Sequence, residues 1–212
     1  MNLKLLLFIF PTVVSTDIIV ELLKIAPADT PQCFREFRQL IKCVEPHEAL
    51  INSALETVNE ETVYNIGFMN KALQIGRNVS ECLGHNFTCD GTKLVVYGLD
   101  YADYIGKKVY GDVFHCFINA QTFELLQICQ RDTYEPGPTN QVEDVTVVNN
   151  ITNTLFECVA RKMYSTPSCT VDRIVSLYQA GKALIDAAFE FYRWNAKYPV
   201  EWEYDAGKYC DN

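Results

Sequence analysis

Histidine, the side chain that most often acts as a general base, is scarce in this sequence, with three copies in 212 residues. No Gly-x-Ser-x-Gly elbow, glycine-rich phosphate loop or Cys/His nucleophile signature occurs. The pair His47-Glu48 lacks a second histidine one helical turn later, where Ile51 stands, so the zinc-protease pattern is excluded. We therefore expect no enzyme activity, no cofactor and no catalytic metal ion.

Positive charge is also in short supply. Lysine and arginine number 18 against 27 aspartates and glutamates, which gives a formal net charge of −9 at pH 7. An acidic chain is repelled by a phosphate backbone, so nucleic acid is not expected as a partner.

Long apolar runs are missing except at the start. Lys4 precedes an apolar stretch from Leu5 to Val14, and the small residue Ser15 follows. This stretch is too short for a membrane span, which needs about 20 residues, and its flanks are typical of a signal peptide. We expect residues 1–15 to be removed, and residues 16–212 to be a secreted, extracellular protein without a membrane span.

Cysteine is too infrequent for a fold held by disulfides alone, because nine in 212 residues is below the roughly 8–10% typical of such scaffolds. With 49% hydrophobic residues the chain can also build a core. In an oxidising compartment the cysteines are expected to pair. The eight predicted to form disulfides are Cys33, Cys43, Cys82, Cys89, Cys116, Cys129, Cys158 and Cys169.

The pairing itself is left open by the sequence. The shortest loops would be closed by Cys82 with Cys89 and by Cys158 with Cys169, provided that their Cα atoms come within about 7 Å. The ninth cysteine, Cys210, is the first candidate for a free thiol or for the bridge of a disulfide-linked dimer. The alternative is that Cys210 pairs within the chain and another cysteine is left over.

Cys82, His85 and Cys89 have a spacing that suits zinc, whose preferred ligands are sulfur and imidazole. Cysteines that are oxidised to disulfides offer no thiolate, so a metal site is not predicted here.

Apolar residues at helical spacing dominate from Thr30 onward, and no alternating run is long enough to require a sheet. The main stripes are Phe34 to Val44, Val63 to Leu73, Leu94 to Lys108, Val113 to Cys129, Val145 to Met163 and Val171 to Trp194. Residues 132–144 are rich in proline, glycine and asparagine and are expected to be a loop or linker. The predicted fold class is all-α, made of disulfide-pinned helical hairpins.

The cysteines recur along the chain together with their neighbours. Cys33-Phe34 is matched by Cys116-Phe117, and four successive cysteines recur at offsets of 83, 86, 76 and 80 residues. One hypothesis is an internal duplication with pseudo-repeats at 33–115 and 116–212. The alternative is a single helical domain over 16–212 in which cysteine-bearing amphipathic helices resemble each other without common origin.

Three sequons of the form Asn-x-Ser/Thr predict N-glycosylation at Asn78, Asn86 and Asn150, and about two of the three are expected to be used. A glycan must sit in water, so Asn86 also predicts an exposed loop between Cys82 and Cys89.

Tyr97, Tyr101 and Tyr104 lie at helical spacing and are candidates for an aromatic binding patch. The competing interpretation is that they belong to the core, where aromatic residues at this spacing are more often found.

Residues 99–106 read LDYADYIG and residues 111–116 read GDVFHC, with Cys129 and a proline-containing loop after them. This stretch, with the flanking cysteines and the aromatic-rich helix near Trp194, resembles a nematode-expanded family of secreted cysteine-rich domains of unknown function. The family pattern has cysteines near Tyr97-Gly98 and Ala180-Gly181 that this chain lacks, so its pairing is not transferred. The resemblance implies an extracellular helical domain without a known activity.

The leading functional hypothesis is non-enzymatic binding of another macromolecule, with an extracellular protein as partner. The second is a carrier of a small hydrophobic ligand held between the helices. The third is a hydrolase without a recognisable motif.

Overall fold

The computed structural model describes residues 29–57, 60–84, 86–133 and 145–195. Within these ranges the chain is helical and contains no strand, which confirms the all-α prediction. The helices are α1 Pro31–Val44, α2 Glu48–Thr57, α3 Glu60–Val63, α4 Ile66–Leu83, α5 Asp90–Tyr110, α6 Phe114–Asn119, α7 Thr122–Thr133, α8 Val145–Met163 and α9 Val171–Asn195, with a 3-10 turn at Glu45–His47.

Several predictions fall outside the described residues. They are the signal peptide at 1–15, the segment 134–144 of the predicted loop, His85 and Cys210. Asp132 and Thr133, which were assigned to the loop, belong to the last turn of α7 instead.

Helix ends follow local capping chemistry. Thr30 accepts a hydrogen bond from the Cys33 amide at 3.1 Å and so caps α1, with Pro31 in the first helical position. The stripe predicted to run from Val63 to Leu73 is broken at Asn65, whose side chain accepts from the Phe68 amide at 3.0 Å and starts α4. The prediction of one helix over this stripe is therefore wrong, because an N-cap side chain interrupts it.

The stripe from Val113 to Cys129 is likewise two helices. Gln121 lies between α6 and α7 with a φ of 49°, in the left-handed region that ends a helix. Thr122 then donates its hydroxyl to the Phe117 carbonyl at 2.7 Å, which ties the start of α7 to α6.

The chain divides into two compact units. The described part of unit 1 comprises residues up to Gly106 together with 190–195, and that of unit 2 comprises residues 107–189. The division lies near the predicted repeat boundary at 115/116 but does not coincide with it, because the last residues of α9 belong to unit 1.

In unit 1, α1 packs against α4. Their contact is cross-linked by the disulfide Cys43–Cys82. Side chains from α1, α4 and α5 form the buried core around this bond; they are Phe37, Leu40, Cys43, Val44, Val79, Leu83 and Val96. A second bond, Cys33–Cys89, joins the start of α1 to the residue before α5.

In unit 2, α7 packs against α8. The disulfide Cys129–Cys158 cross-links these two helices, and Cys116–Cys169 joins α6 to the segment before α9. Leu126, Leu155 and Val159 are buried beside the inner bond.

All eight cysteines predicted to form disulfides are paired, but the two short-loop pairings are wrong. Cys82 bonds to Cys43 rather than to Cys89, and Cys158 bonds to Cys129 rather than to Cys169. The reason is that each inner bond spans two packed helices, where helix packing brings the cysteines together. Each unit consequently contains one bond nested inside another.

None of the helices in the described ranges is long and apolar enough to cross a membrane.

Candidate functional site

The most concentrated polar chemistry in the described residues surrounds the carboxylate of Glu36. This side chain is only 4% exposed and lies on α1 near the Cys33–Cys89 bond. Its Oε1 accepts hydrogen bonds from the Thr88 amide at 3.0 Å, the Thr88 hydroxyl at 2.7 Å and the Gln32 side-chain amide at 2.8 Å. Its Oε2 accepts from the Cys89 amide at 3.0 Å.

These contacts place a negative charge at the start of α5. Cys89 directly precedes α5, and its carbonyl accepts the first backbone bond of that helix from Lys93 at 3.0 Å. Amides at a helix N-terminus lack partners within the helix and favour an anion nearby. Glu36 thus caps α5 from a different helix and holds the segment before α5 against α1.

The same hydrogen bonds keep Glu36 ionised. Burial on its own raises the pKa of a carboxyl group, but the bonds from Thr88, Gln32 and Cys89 outweigh it and lower the pKa of Glu36 from 4.5 to about 2. With every donor directed at an ionised carboxylate, Glu36 has the properties of a structural anchor rather than of a proton-transferring acid.

Unit 2 has a related contact at the corresponding positions. Asn119 lies three residues after Cys116, as Glu36 does after Cys33, and its side-chain amide donates to the hydroxyl of Ser168 at 3.1 Å. Ser168 directly precedes Cys169, as Thr88 precedes Cys89. Asn119 is exposed and uncharged, so this second contact lacks both the burial and the charge of the first.

The three predicted glycosylation sites have exposed asparagines. Asn78 lies on α4, Asn86 in the segment between α4 and α5, and Asn150 on α8. The exposure of Asn86 agrees with the expected surface segment between Cys82 and Cys89. Glycosylation itself stays a prediction.

The tyrosines do not form the exposed aromatic patch considered from the sequence. Tyr97 is 5% exposed and Tyr101 is 0% exposed, with their ring centroids 4.6 Å apart. The hydroxyl oxygen of Tyr104 is buried as well. The competing core interpretation is correct for Tyr97 and Tyr101, because the α5 face that carries them is turned inward.

The zinc-like spacing of Cys82, His85 and Cys89 does not produce a ligand set. The sulfur atoms of Cys82 and Cys89 are bonded to those of Cys43 and Cys33. With eight of the nine cysteines in four bonds, Cys210 is the cysteine that these bonds leave over.

Exposed apolar side chains gather where α8 leads into α9. Tyr164 is 59% exposed, Val171 is 57% exposed and Val175 is 37% exposed. Tyr164 directly follows α8, while Val171 and Val175 lie one turn apart on the same side of α9. We call these three residues the apolar group.

Neither Glu36 nor the apolar group was singled out from the sequence. A signal for Glu36 existed: together with Cys33, Leu40 and Cys43 it falls on one helical stripe, so a carboxylate occupies an inward position. The apolar group offered no comparable signal, because Val171 and Val175 fit the same amphipathic pattern as the buried residues of α9.

Comparisons of the chain with protein-family models, with curated proteins and with solved structures find no match. The resemblance to the nematode-expanded family therefore stays a prediction.

Proposed function

We propose that this protein is secreted and glycosylated, and that it acts without catalysis by binding another extracellular protein through the apolar group. Four disulfides within the chain support an oxidising, extracellular location. They also limit the movement of the helices that carry the binding residues, which lowers the entropy cost of association.

The observation that carries the proposal is the exposure of Tyr164, Val171 and Val175 at one end of the α8–α9 hairpin. Single exposed apolar residues are ordinary on protein surfaces, whereas several together mark interaction sites. Tyrosine is enriched in the energetically important parts of protein interfaces, since it combines a large apolar area with a hydroxyl group.

The predicted glycan on α8 leaves this end of the hairpin accessible. Asn150 precedes Tyr164 by 14 residues. At 1.5 Å per helical residue the two positions are about 20 Å apart along the helix. A glycan at Asn150 therefore starts well away from the apolar group.

The test is native mass spectrometry of the secreted, deglycosylated protein taken from its own extracellular medium, with Tyr164→Ser/Val171→Ser as the variant. We expect a complex with a second protein that this variant loses. Leu50→Ser is the matched control, because Leu50 is 45% exposed but lies in unit 1, and it should keep the complex. Loss of the complex in both variants would contradict a role for the apolar group.

The same spectra separate the alternatives. A bound mass of lipid size would favour the carrier hypothesis over protein binding. A dimer that survives denaturation and collapses on reduction would assign Cys210 to an interchain bond, whereas a monomer with one alkylatable thiol would exclude that bond.

A further inference from the structure

The three sequons share an arrangement that bears on when they can be glycosylated. In each, the asparagine is exposed while the hydroxyl residue two positions later is engaged by the protein. The Ser80 hydroxyl lies 3.4 Å from Asp100 Oδ1, the Thr88 hydroxyl donates to Glu36 at 2.7 Å, and Thr152 is only 8% exposed. The folded protein can thus carry a glycan at these asparagines, yet it withholds the residue by which a sequon is recognised.

The sequon at Asn86 is withheld most completely. Phe87 packs against the core of unit 1, and Thr88 gives both its amide and its hydroxyl to Glu36. The next residue, Cys89, is bonded to Cys33 and gives its amide to Glu36. Three consecutive residues after the acceptor asparagine are therefore held inward by apolar, ionic and covalent contacts.

Glycan transfer requires what these contacts remove. The Asn86 side-chain nitrogen forms a bond to the anomeric carbon of an oligosaccharide carried on a lipid pyrophosphate; the lipid pyrophosphate leaves, and the amide loses a proton to a base. The transferring enzyme must grip the hydroxyl of Thr88 during this step. That hydroxyl becomes available only when residues 86–89 separate from Glu36.

We propose that Asn86 accepts its glycan only before unit 1 closes, and that formation of the Cys33–Cys89 bond together with the Glu36 contact ends its competence as an acceptor. The proposal rests on the secretion and glycosylation proposed above. In the closing step the two thiols lose two electrons and two protons, and the disulfide of a thiol-disulfide oxidoreductase takes up the electrons and becomes a dithiol.

The test uses the full chain without glycans and with its four disulfides formed, incubated with oligosaccharyltransferase and lipid-linked oligosaccharide. Occupancy of Asn86 is measured by mass spectrometry before and after reduction and alkylation. We expect occupancy in the oxidised chain to be lower by at least about tenfold, since transfer must wait for local opening of unit 1.

A pair of variants distinguishes closure of unit 1 from folding in general. The oxidised Cys33→Ala/Cys89→Ala chain should accept the glycan at Asn86. The matched Cys116→Ala/Cys169→Ala chain, which loses the equivalent bond of unit 2, should not. Occupancy of Asn150 in unit 2 reports whether the first variant has unfolded as a whole, and the oxidised and reduced wild-type chains decide the question if it has.

The outcomes separate this proposal from the one on which it rests. Equal occupancy of Asn86 in oxidised and reduced wild-type chain would overturn the timing while leaving glycosylation intact. Absence of transfer even to the reduced chain would overturn glycosylation at Asn86 itself. Equal acceptance by the two double variants would show that the bond in unit 1 has no special role, which also overturns the proposal.

Discussion

The two units have the same disulfide plan around different polar contacts. In each, the first cysteine bonds to the fourth and the second to the third. The similarity extends to the core, because Leu40 and Leu126 lie three residues before an inner cysteine, Leu83 and Val159 lie one residue after its partner, and all four are buried. These correspondences support the hypothesis of an internal duplication.

The difference lies at the outer bond. Unit 1 places a buried, ionised Glu36 beside that bond, whereas unit 2 places an exposed, neutral Asn119 at the corresponding position. The nested bonds and the surrounding leucines and valines therefore suffice for the helical arrangement, and the polar contact is an addition that varies. Unit 1 should respond to pH through this addition, and unit 2 should not.

Removal of the outer bonds should have the largest effect and should be similar in the two units. With the inner bond intact, the outer bond of unit 1 closes a ring of 10 residues from Cys33 to Cys43 and 7 from Cys82 to Cys89, compared with 13 and 11 in unit 2. Chain entropy predicts a loss of about 3 kcal/mol for Cys33→Ala/Cys89→Ala and slightly more for Cys116→Ala/Cys169→Ala.

Amide hydrogen exchange, followed by mass spectrometry of peptides from each unit, measures these losses separately. A much larger loss in unit 1 would show that the Glu36 contact depends on the Cys33–Cys89 bond. Loss of protection in the unit that keeps both bonds would contradict the division into two separately stabilised units.

Acidification should destabilise unit 1 alone. The folded pKa of Glu36 is about 2 and its ordinary value is 4.5. A lowered pKa stabilises the fold above the ordinary value, and the contribution is lost as pH falls from about 4.5 through about 2. The loss at full protonation is about 3 kcal/mol, at 1.36 kcal/mol for each pH unit of difference.

Urea unfolding at pH 7, 4 and 2.5 checks this expectation, with hydrogen exchange used to assign the change to a unit. Glu36→Gln should weaken unit 1 at pH 7 and flatten its pH dependence, because the amide cannot ionise. Asn119→Ala is the matched control in unit 2 and should cost about 0.5–1 kcal/mol for its exposed hydrogen bond at every pH. An unchanged pH profile in Glu36→Gln would assign the acid sensitivity to other groups.

Much of the fold was predictable because helix formation here is largely local. The stripes at Val145 to Met163 and Val171 to Trp194 correspond closely to α8 and α9. Disulfide pairing was not predictable, since it depends on which helices pack together. Val79 and Leu83 bury one side of α4 against α1, and Cys82, on the same side, is thereby brought to Cys43.

The candidate site was harder to predict than the fold. The sequons are local patterns and were found, but the engagement of Thr88 by Glu36 joins residues 52 apart in the chain. Spacing carries no information on such a contact. The tyrosine patch failed for a related reason, because helical spacing alone does not say which side of α5 faces the core.

Close helix packing should distinguish the units by a smaller margin. A Cβ atom at Gly106 would overlap the methyl groups of Leu73 in unit 1, and one at Gly181 would lie 2.6 Å from the ring of Phe156 in unit 2. Alanine gains about 1 kcal/mol of helix propensity over glycine, but overpacking costs roughly 1–3 kcal/mol.

The aromatic ring moves less easily than the leucine methyl groups, so Gly181→Ala should cost about 2 kcal/mol and Gly106→Ala about 1 kcal/mol. Gly76→Ala is the control, because its Cβ would lie 3.6 Å from Leu99 in ordinary contact, and it should stabilise unit 1 by up to about 1 kcal/mol. Thermal unfolding of the three variants gives the order. If Gly181→Ala were as stable as Gly76→Ala, Phe156 would have room to turn aside, and close packing of α8 on α9 would not contribute to the stability of unit 2.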